Sequence, residues 1–186
     1  GESLRWGPEI TVGPAYQMNL RAFTSDPHPP EWLLRLPALL AGVGCIIAAY
    51  ALGALLRSRR VGLALSVLLA LHSVLIAYSQ EARGYTLLVL ASMVATTLWF
   101  RLANDALGRA PLVAVAYAAT GAIGFYAHYF MILVVAAHVA WLTGLAFLVK
   151  PRRLSWSPVA ALGLWAGLCT PGVARVLQHR DVASGA

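Results

Sequence analysis

The sequence predicts an all-α protein, a polytopic transmembrane helical bundle of about five spans. Of its 186 residues, 60% are hydrophobic and 11% are charged, whereas soluble domains carry about 25% charged residues. The charges are also clustered, so that long uncharged runs lie between them. A bilayer core of about 30 Å needs roughly 20 helical residues, and runs of this length pair their own backbone groups only as helices.

The predicted elements follow the chain in order. Residues 1–35 form an external loop segment, because they are polar and because the prolines within 26–30 cannot continue a helix. Residues 36–174 form the transmembrane helical domain, and residues 175–186 form an external tail. The spans are predicted at about 36–56, 61–80, 84–100, 111–127, 129–149 and 157–174. The run 110–149 would measure about 60 Å as one helix, so it is predicted as a helical hairpin, which gives six helices if its arms are counted separately.

Polar and aromatic residues mark the ends of the predicted spans. The second external turn is 79–85, and the third span ends at the interfacial pair Trp99–Phe100. The external tip of the hairpin is 124–130, and the last span rises from Ser157 towards Pro171–Gly172. Glycines within the spans are expected to permit close helix packing, and they are Gly42, Gly44, Gly53, Gly121 and Gly124.

The charge distribution predicts the orientation. The net charge is +7, but the basic residues lie at span ends rather than on one soluble face or arm, which argues against a nucleic-acid partner. Eight of them fall in three loops on one side, namely Arg57, Arg59, Arg60, Arg101, Arg109, Lys150, Arg152 and Arg153. Because cytoplasmic loops are enriched in Lys and Arg, these loops are assigned to the cytoplasm and the turns 79–85 and 124–130 to the outside.

Several residues inside the hydrophobic runs are given structural roles. Cys45 and Cys169 are expected to act as small apolar residues, so neither a disulfide nor a metal site is predicted. His72 and His138 are expected to form hydrogen bonds with neighbouring helices rather than to bind metal. The chain starts at Gly1 without an initiator Met or a signal-peptide pattern, so we expect it to begin within a longer protein.

The residues suited to chemistry all fall on the predicted external side. They are Asp26, His28, Gln80, Glu81, Arg83, Tyr126, His128 and Tyr129. Three loops on one side can line one site. Taken alone, however, Glu81 and Arg83 are equally consistent with a solvated ion pair, and His128 with an interfacial anchor between two aromatic residues. Composition alone therefore indicates a membrane protein with a polar external face.

Four stretches, taken in order along the chain, resemble motifs of one family. SQEARGY at 79–85 resembles the SQEARxY signature of bacterial and archaeal GT-C glycosyltransferases, the branch related to protein O-mannosyltransferases and to the lipid A aminoarabinose transferase. DPHPP at 26–30 resembles its external DxHPP segment, EWLLRLP at 31–37 its EWxxRLP span start, and YAHYF at 126–130 its YTHYF hairpin tip. The resemblance covers about residues 20–178.

The chain departs from the family pattern in two places. Members carry an amphipathic juxtamembrane helix between HPP and EWxxRLP, whereas here Pro30 runs directly into Glu31. Members also carry an Asp-Glu pair after their first span, and the nearest match is Gly1-Glu2, which lacks both the Asp and the span. The second departure concerns catalysis, since the acid of that pair deprotonates the acceptor.

The resemblance implies transfer of a hexose or pentose from a polyprenyl-phosphate donor to an acceptor on the non-cytoplasmic face of a prokaryotic plasma membrane. It implies catalytic roles for Glu2 and Asp26. It implies substrate binding by His28, Arg35, Gln80, Glu81, Arg83, Tyr85, His128 and Tyr129. In this scheme Arg83 pairs with the carrier phosphate, because a guanidinium fork matches phosphate oxygens, and Glu81 orients Arg83 or contacts the sugar.

The remaining expectations concern cofactors, partners and other function classes. No metal ligand is assigned, although a divalent metal held by His28, His128 and an acid is left open. The implied partners are the polyprenyl-phosphate sugar, membrane lipid and an acceptor of unspecified identity. A non-catalytic membrane scaffold and a component of a lipid or solute transporter remain alternatives. The predicted spans contain no Asp, Glu, Lys or Arg, which argues against the ion or proton relay of a transporter.

Overall fold

A computed structural model of the chain describes residues 30–81, 83–103, 110–148 and 156–184, and these parts contain seven helices and no strand. The helices are α1 (Glu31–Leu56), α2 (Arg59–Ala70), α3 (Ser73–Ser79), α4 (Tyr85–Ala103), α5 (Ala110–Ala127), α6 (Met131–Leu148) and α7 (Ser157–Ser184). The prediction of an all-α fold is confirmed.

Four helical segments are long and apolar enough to cross a membrane, and they are Glu31–Leu56, Tyr85–Ala103, Ala110–Ala127 and Ser157–Ala174. The pair α2 and α3 passes the same test together, which gives up to five spans. The apolar stretch Met131–Leu145 of α6 is shorter than these segments. The prediction of about five spans is therefore confirmed for the part of the chain that the structure describes.

The predicted span 61–80 is divided in the structure. α2 and α3 are bent by 63° at Leu71 and His72, where His72 adopts an extended conformation. No proline or glycine lies between residue 63 and the end of α3, so hydropathy alone indicated one continuous helix. The His72 side chain is exposed and has no hydrogen bond to another described residue, so the expected contact with a neighbouring helix is absent there.

Two other helix bounds differ from the predicted spans. α1 begins at Glu31 rather than at residue 36, because Glu31 and Arg35 pair on the helix surface and an acidic residue in the first turn suits the positive end of the helix dipole. α7 continues to Ser184, through most of the predicted tail. At the start of α1 and at the end of α7, the helix therefore extends past the apolar run into charged residues.

Small residues bring the helices close together. A Cβ atom added to Gly53 of α1 would lie 2.8 Å from the Cα of Gly62 in α2, so the two backbones are nearly in contact. The other predicted packing glycines also lie at helix contacts, Gly42 against Ser79, Gly44 against Leu90, Gly121 against Trp165 and Gly124 against Met131. The main core lies between α4, α5, α6 and α7 and contains Ala95, Trp99, Leu102, Ala114, Tyr117, Met131 and Ala161.

Candidate functional site

The turn between α3 and α4 presents an arginine to solvent. Gln80 caps the C-terminus of α3, with its N–H bonded to the carbonyl of Ala77, and the N–H of Arg83 bonds the carbonyl of Glu81 at 2.8 Å. Nε of Arg83 lies 4.0 Å from a carboxylate oxygen of Glu81, and the two side chains are 62% and 46% exposed. An exposed ion pair of this kind contributes little stability. The remaining guanidinium N–H groups have no partner among the described residues and are available to a ligand.

The turn between α5 and α6 is held by its own backbone and by one histidine. The N–H of His128 bonds the carbonyl of Gly124 at 2.9 Å, and the N–H of Met131 bonds the carbonyl of His128 at 3.1 Å. The N–H of Phe130 donates to Nδ1 of His128 at 3.3 Å. The imidazole therefore acts as part of the turn, and its orientation is set by the chain that follows it.

These two turns lie against each other. A Cβ atom on Gly84 would lie 2.8 Å from the carbonyl oxygen of Ala127 and 3.8 Å from its Cα, so only glycine allows this approach. Since consecutive Cα atoms are about 3.8 Å apart, the Cα atoms of the neighbouring residues Arg83 and His128 are at most about 13 Å apart. An arginine side chain spans much of that distance. The Arg83 guanidinium and the His128 imidazole can therefore contact one ligand.

A continuous row of rings joins the two turns, and we call it the ring ladder; its members are Tyr78, Tyr85, His128 and Tyr129. The ring centroids are 4.9 Å apart for Tyr78 and Tyr85, and 5.2 Å for Tyr85 and His128. Those of His128 and Tyr129 are 4.7 Å apart and nearly parallel. Such spacings are favourable for aromatic pairs. Tyr129 is 63% exposed, so the ladder ends in a ring that a ligand or lipid can reach.

Two other helices pack at the same end of the bundle. A Cβ atom on Gly42 of α1 would lie 2.9 Å from Cβ of Ser79, at the end of α3. On the other side, the hydroxyl group of Tyr126 donates to the carbonyl of Leu168 in α7 at 3.0 Å. α1 and α7 therefore flank the two turns, and we call this region the Arg83 end of the bundle.

Desolvation affects the imidazole in the turn between α5 and α6. Partial burial among the aromatic rings lowers the pKa of His128 below its ordinary value, because removal of water disfavours the charged form. The N–H of Phe130 acts in the same direction, since it needs a lone pair on Nδ1. His128 is therefore neutral near pH 7.

The structure brings together most of the predicted site residues that it describes. Gln80, Glu81, Arg83, Tyr85, His128 and Tyr129 all lie in the two turns at the Arg83 end or directly beside them. Sequence reasoning missed Tyr78, the first ring of the ladder. The available signal was its position at the end of an apolar run, one residue before SQEARGY.

The other predicted site residues do not join this group. Arg35 pairs with Glu31 of its own helix, and it lies seven residues before Gly42 on α1, a rise of about 10 Å beyond the level of Ser79. Glu2, Asp26 and His28 lie outside the described residues. Among the residues that the structure describes, no group of three His, Cys, Asp or Glu side chains could hold a metal ion.

Comparison with known proteins gives a match to a family model. The family model described as dolichyl-phosphate-mannose-protein mannosyltransferase matches residues 12–170, a segment that includes both turns of the Arg83 end. No curated protein and no solved structure matches the chain. The matched segment spans most of the sequence and most of the bundle. The chain therefore belongs to the dolichyl-phosphate-mannose-protein mannosyltransferase family of membrane glycosyltransferases.

Proposed function

We propose that this chain binds the donor in a membrane glycosyltransferase that transfers a sugar from a polyprenyl-phosphate carrier to an acceptor on the non-cytoplasmic face. The observation that supports the proposal is the contact of Gly84 with Ala127, which brings together the turns that carry Arg83 and His128. Within the family we place the chain in the SQEARxY branch, on its motifs at 79–85 and 126–130, and we propose a prokaryotic plasma membrane as its location.

Arg83 would bind the carrier phosphate. Its guanidinium group is always charged and offers a planar fork of donors that matches phosphate oxygens, and it is exposed at the end of the bundle. As the bond between the sugar C1 and the phosphate oxygen breaks, negative charge develops on the leaving phosphate, and a fixed cation stabilises it. Glu81 would orient the guanidinium group or contact the sugar, and Gln80 and Tyr85 would contact the donor beside it.

The acceptor side of the reaction needs a base. We propose that Glu2 or Asp26 takes the proton of the acceptor hydroxyl as its oxygen forms a bond with C1 and the carrier phosphate departs. Protonation of a positioned carboxylate is ordinary general-base chemistry. The support is the resemblance of the chain before α1 to the external segment of the family, and His28 and Arg35 would contact the substrate from the same side.

The placement of charge supports an outward-facing site. Arg57 follows the end of α1, Arg59 is the first residue of α2, and Arg101 lies in the last turn of α4. These are the helix ends opposite to the Arg83 end. Because basic residues are enriched at the cytoplasmic side, the Arg83 end would face the other compartment, where the apolar tail of the carrier lies in the outer leaflet.

The direct test is transfer of a labelled sugar by membranes that contain the full-length protein. Mannosyl polyprenyl phosphate is the first donor to try, followed by other hexose and pentose carriers, with and without a chelator of divalent metals. Transfer that depends on the protein and on Arg83 supports the proposal. Absence of transfer from every donor, together with protein-dependent movement of lipid or solute, would instead establish a transporter component. Absence of both activities would leave a scaffold.

A further inference from the structure

The hydrogen bond between Phe130 and His128 fixes the tautomer of the imidazole. A backbone N–H group only donates, so Nδ1 of His128, 3.3 Å from the nitrogen of Phe130, holds a lone pair. In a neutral imidazole one nitrogen accepts and the other carries the proton. Nε2 of His128 therefore carries the hydrogen and is a donor.

The ring ladder fixes the plane of the same imidazole. Tyr85 and Tyr129 lie 5.2 Å and 4.7 Å from the His128 ring centroid, at interplanar angles of 36° and 26°, and Phe130 lies 4.6 Å from it. With aromatic rings over its faces, the imidazole can form hydrogen bonds only at its edge. Its Nε2–H has no acceptor among the described residues, so it can donate a hydrogen bond to a ligand.

The adjoining turn carries two charged residues, Arg83 and Glu81. The Arg83 guanidinium also only donates, and Glu81 lies 4.0 Å from its Nε, so that the carboxylate is directed to the arginine. Two donor groups on adjoining turns suit a ligand whose exposed atoms only accept hydrogen bonds. A phosphate group has this chemistry, whereas a sugar hydroxyl also needs an acceptor for its own proton.

We infer that Nε2–H of His128 donates a hydrogen bond to a phosphate oxygen of the polyprenyl-phosphate carrier, beside Arg83. The inference rests on the proposed function for the identity of the carrier. It gives His128 a role that excludes two others. A protonated Nε2 has no lone pair for a metal ion, and the lone pair on Nδ1 is taken by the turn, so His128 acts neither as metal ligand nor as general base.

The first experiment measures binding without requiring catalysis. The full-length protein, with ¹⁵N-labelled histidine and reconstituted in lipid nanodiscs, is titrated with undecaprenyl phosphate, and with undecaprenol as the control that lacks phosphate. The His128 signals are assigned by their loss in His128→Gln. We expect a protonated Nε2 and an unprotonated Nδ1 at neutral pH, and a shift of the Nε2–H signal with the phosphate but not with the alcohol.

A protonated Nδ1 would overturn the inference. An Nε2–H signal that does not shift when undecaprenyl phosphate is added, in a protein that transfers sugar, would also overturn it. A phosphate-dependent shift in a protein that transfers no sugar would retain the inference and reject the proposed transferase function. A shift of Nε2 on addition of Zn²⁺ or Mn²⁺ alone, with loss of its proton, would show a metal ligand instead. The two proposals therefore fail by different results.

The second experiment replaces His128 with glutamine or asparagine, whose amide nitrogens occupy the positions of different imidazole nitrogens. The amide nitrogen of glutamine reaches the position of Nε2, whereas that of asparagine reaches the position of Nδ1. We expect His128→Asn to raise the KM for the donor at least about tenfold, as for loss of a hydrogen bond to a charged group, and His128→Gln to raise it several times less. His72→Gln and His72→Asn are the matched controls, since His72 lies at the bend between α2 and α3. Equal effects of the two His128 variants would reject the Nε2 assignment.

Discussion

The hydroxyl group of Tyr117 lies 2.9 Å from Nδ1 of His138, and this contact ties α5 to α6 in the interior of the bundle. Nε2 of the same ring lies 3.2 Å from the hydroxyl oxygen of Thr96 in α4, which itself donates to the carbonyl of Ser92. Nε2 is therefore the donor to Thr96, and Nδ1 accepts from Tyr117. Trp99 stacks on the ring at 5.0 Å. The expected contact of His138 with neighbouring helices is confirmed.

Removal of the Tyr117 hydroxyl is expected to loosen α6. In Tyr117→Phe, Nδ1 of His138 keeps its lone pair but loses its donor in a buried site, a loss of about 0.5–2 kcal/mol in a membrane bundle. We expect a lower thermal midpoint of the protein in nanodiscs, measured by tryptophan fluorescence. Tyr50→Phe is the control, because Tyr50 is 37% exposed and its hydroxyl has no partner among the described residues. Equal midpoints for the two variants would contradict a stabilising role for this contact.

The sequence predicted the helical class, and it predicted that the turns 79–85 and 124–130 lie at the same end of the bundle, because a protein in lipid needs long apolar runs separated by polar turns. It could not predict the bend at His72, because a break without proline or glycine leaves no mark in hydropathy. The substrate role of Arg35 stays a prediction, because a motif shows proximity in sequence and does not fix how far along α1 its residue lies from the Arg83 end. The contact between Gly84 and Ala127 depends on how two turns that are distant in the sequence pack together, and neither hydropathy nor motif spacing specifies that packing.

Gly84 is the position where the two turns are most sensitive to added volume. In Gly84→Ala, the new methyl group would lie 2.8 Å from the carbonyl oxygen of Ala127, so the turns must separate by several tenths of an ångström or more. Because misplaced binding groups can reduce turnover about a hundredfold, we expect sugar transfer to fall about ten- to a hundredfold. The measurement is transfer from the polyprenyl-phosphate donor at equal amounts of protein in the membrane.

The matched control for Gly84→Ala is Gly163→Ala in α7. Nothing lies within 4 Å of a Cβ atom at Gly163, and alanine is favoured over glycine within a helix by about 0.5–1 kcal/mol. Gly163→Ala is therefore expected to keep transfer and to stabilise the helix slightly. Full activity of Gly84→Ala would show that the close contact of the two turns is not needed for the reaction.

Arg83 is expected to need its guanidinium group as well as its charge. Lysine in Arg83→Lys keeps the positive charge but offers a compact ammonium group without the planar fork. We expect transfer to fall about tenfold or more, as for loss of one hydrogen bond to a charged group, with the larger part in the KM for the donor. Arg101→Lys, at the opposite end of α4, is expected to behave as the unchanged protein. An active Arg83→Lys variant would assign the phosphate to another group.

The depressed pKa of His128 predicts a pH dependence of stability with a definite sign. Partial burial lowers this pKa in the folded protein, while the unfolded value is about 6.5. Between the folded pKa and about 6.5 the unfolded state binds more protons, so stability increases with pH in this window and is lost as the pH falls through it.

We expect the thermal midpoint of the unchanged protein to fall, relative to that of His128→Gln, between about pH 7 and about pH 5. The comparison cancels the contributions of all other titratable groups, since both proteins share them. A midpoint difference that is constant over this range, or that grows in favour of the unchanged protein on acidification, would show that His128 gains rather than loses proton affinity on folding.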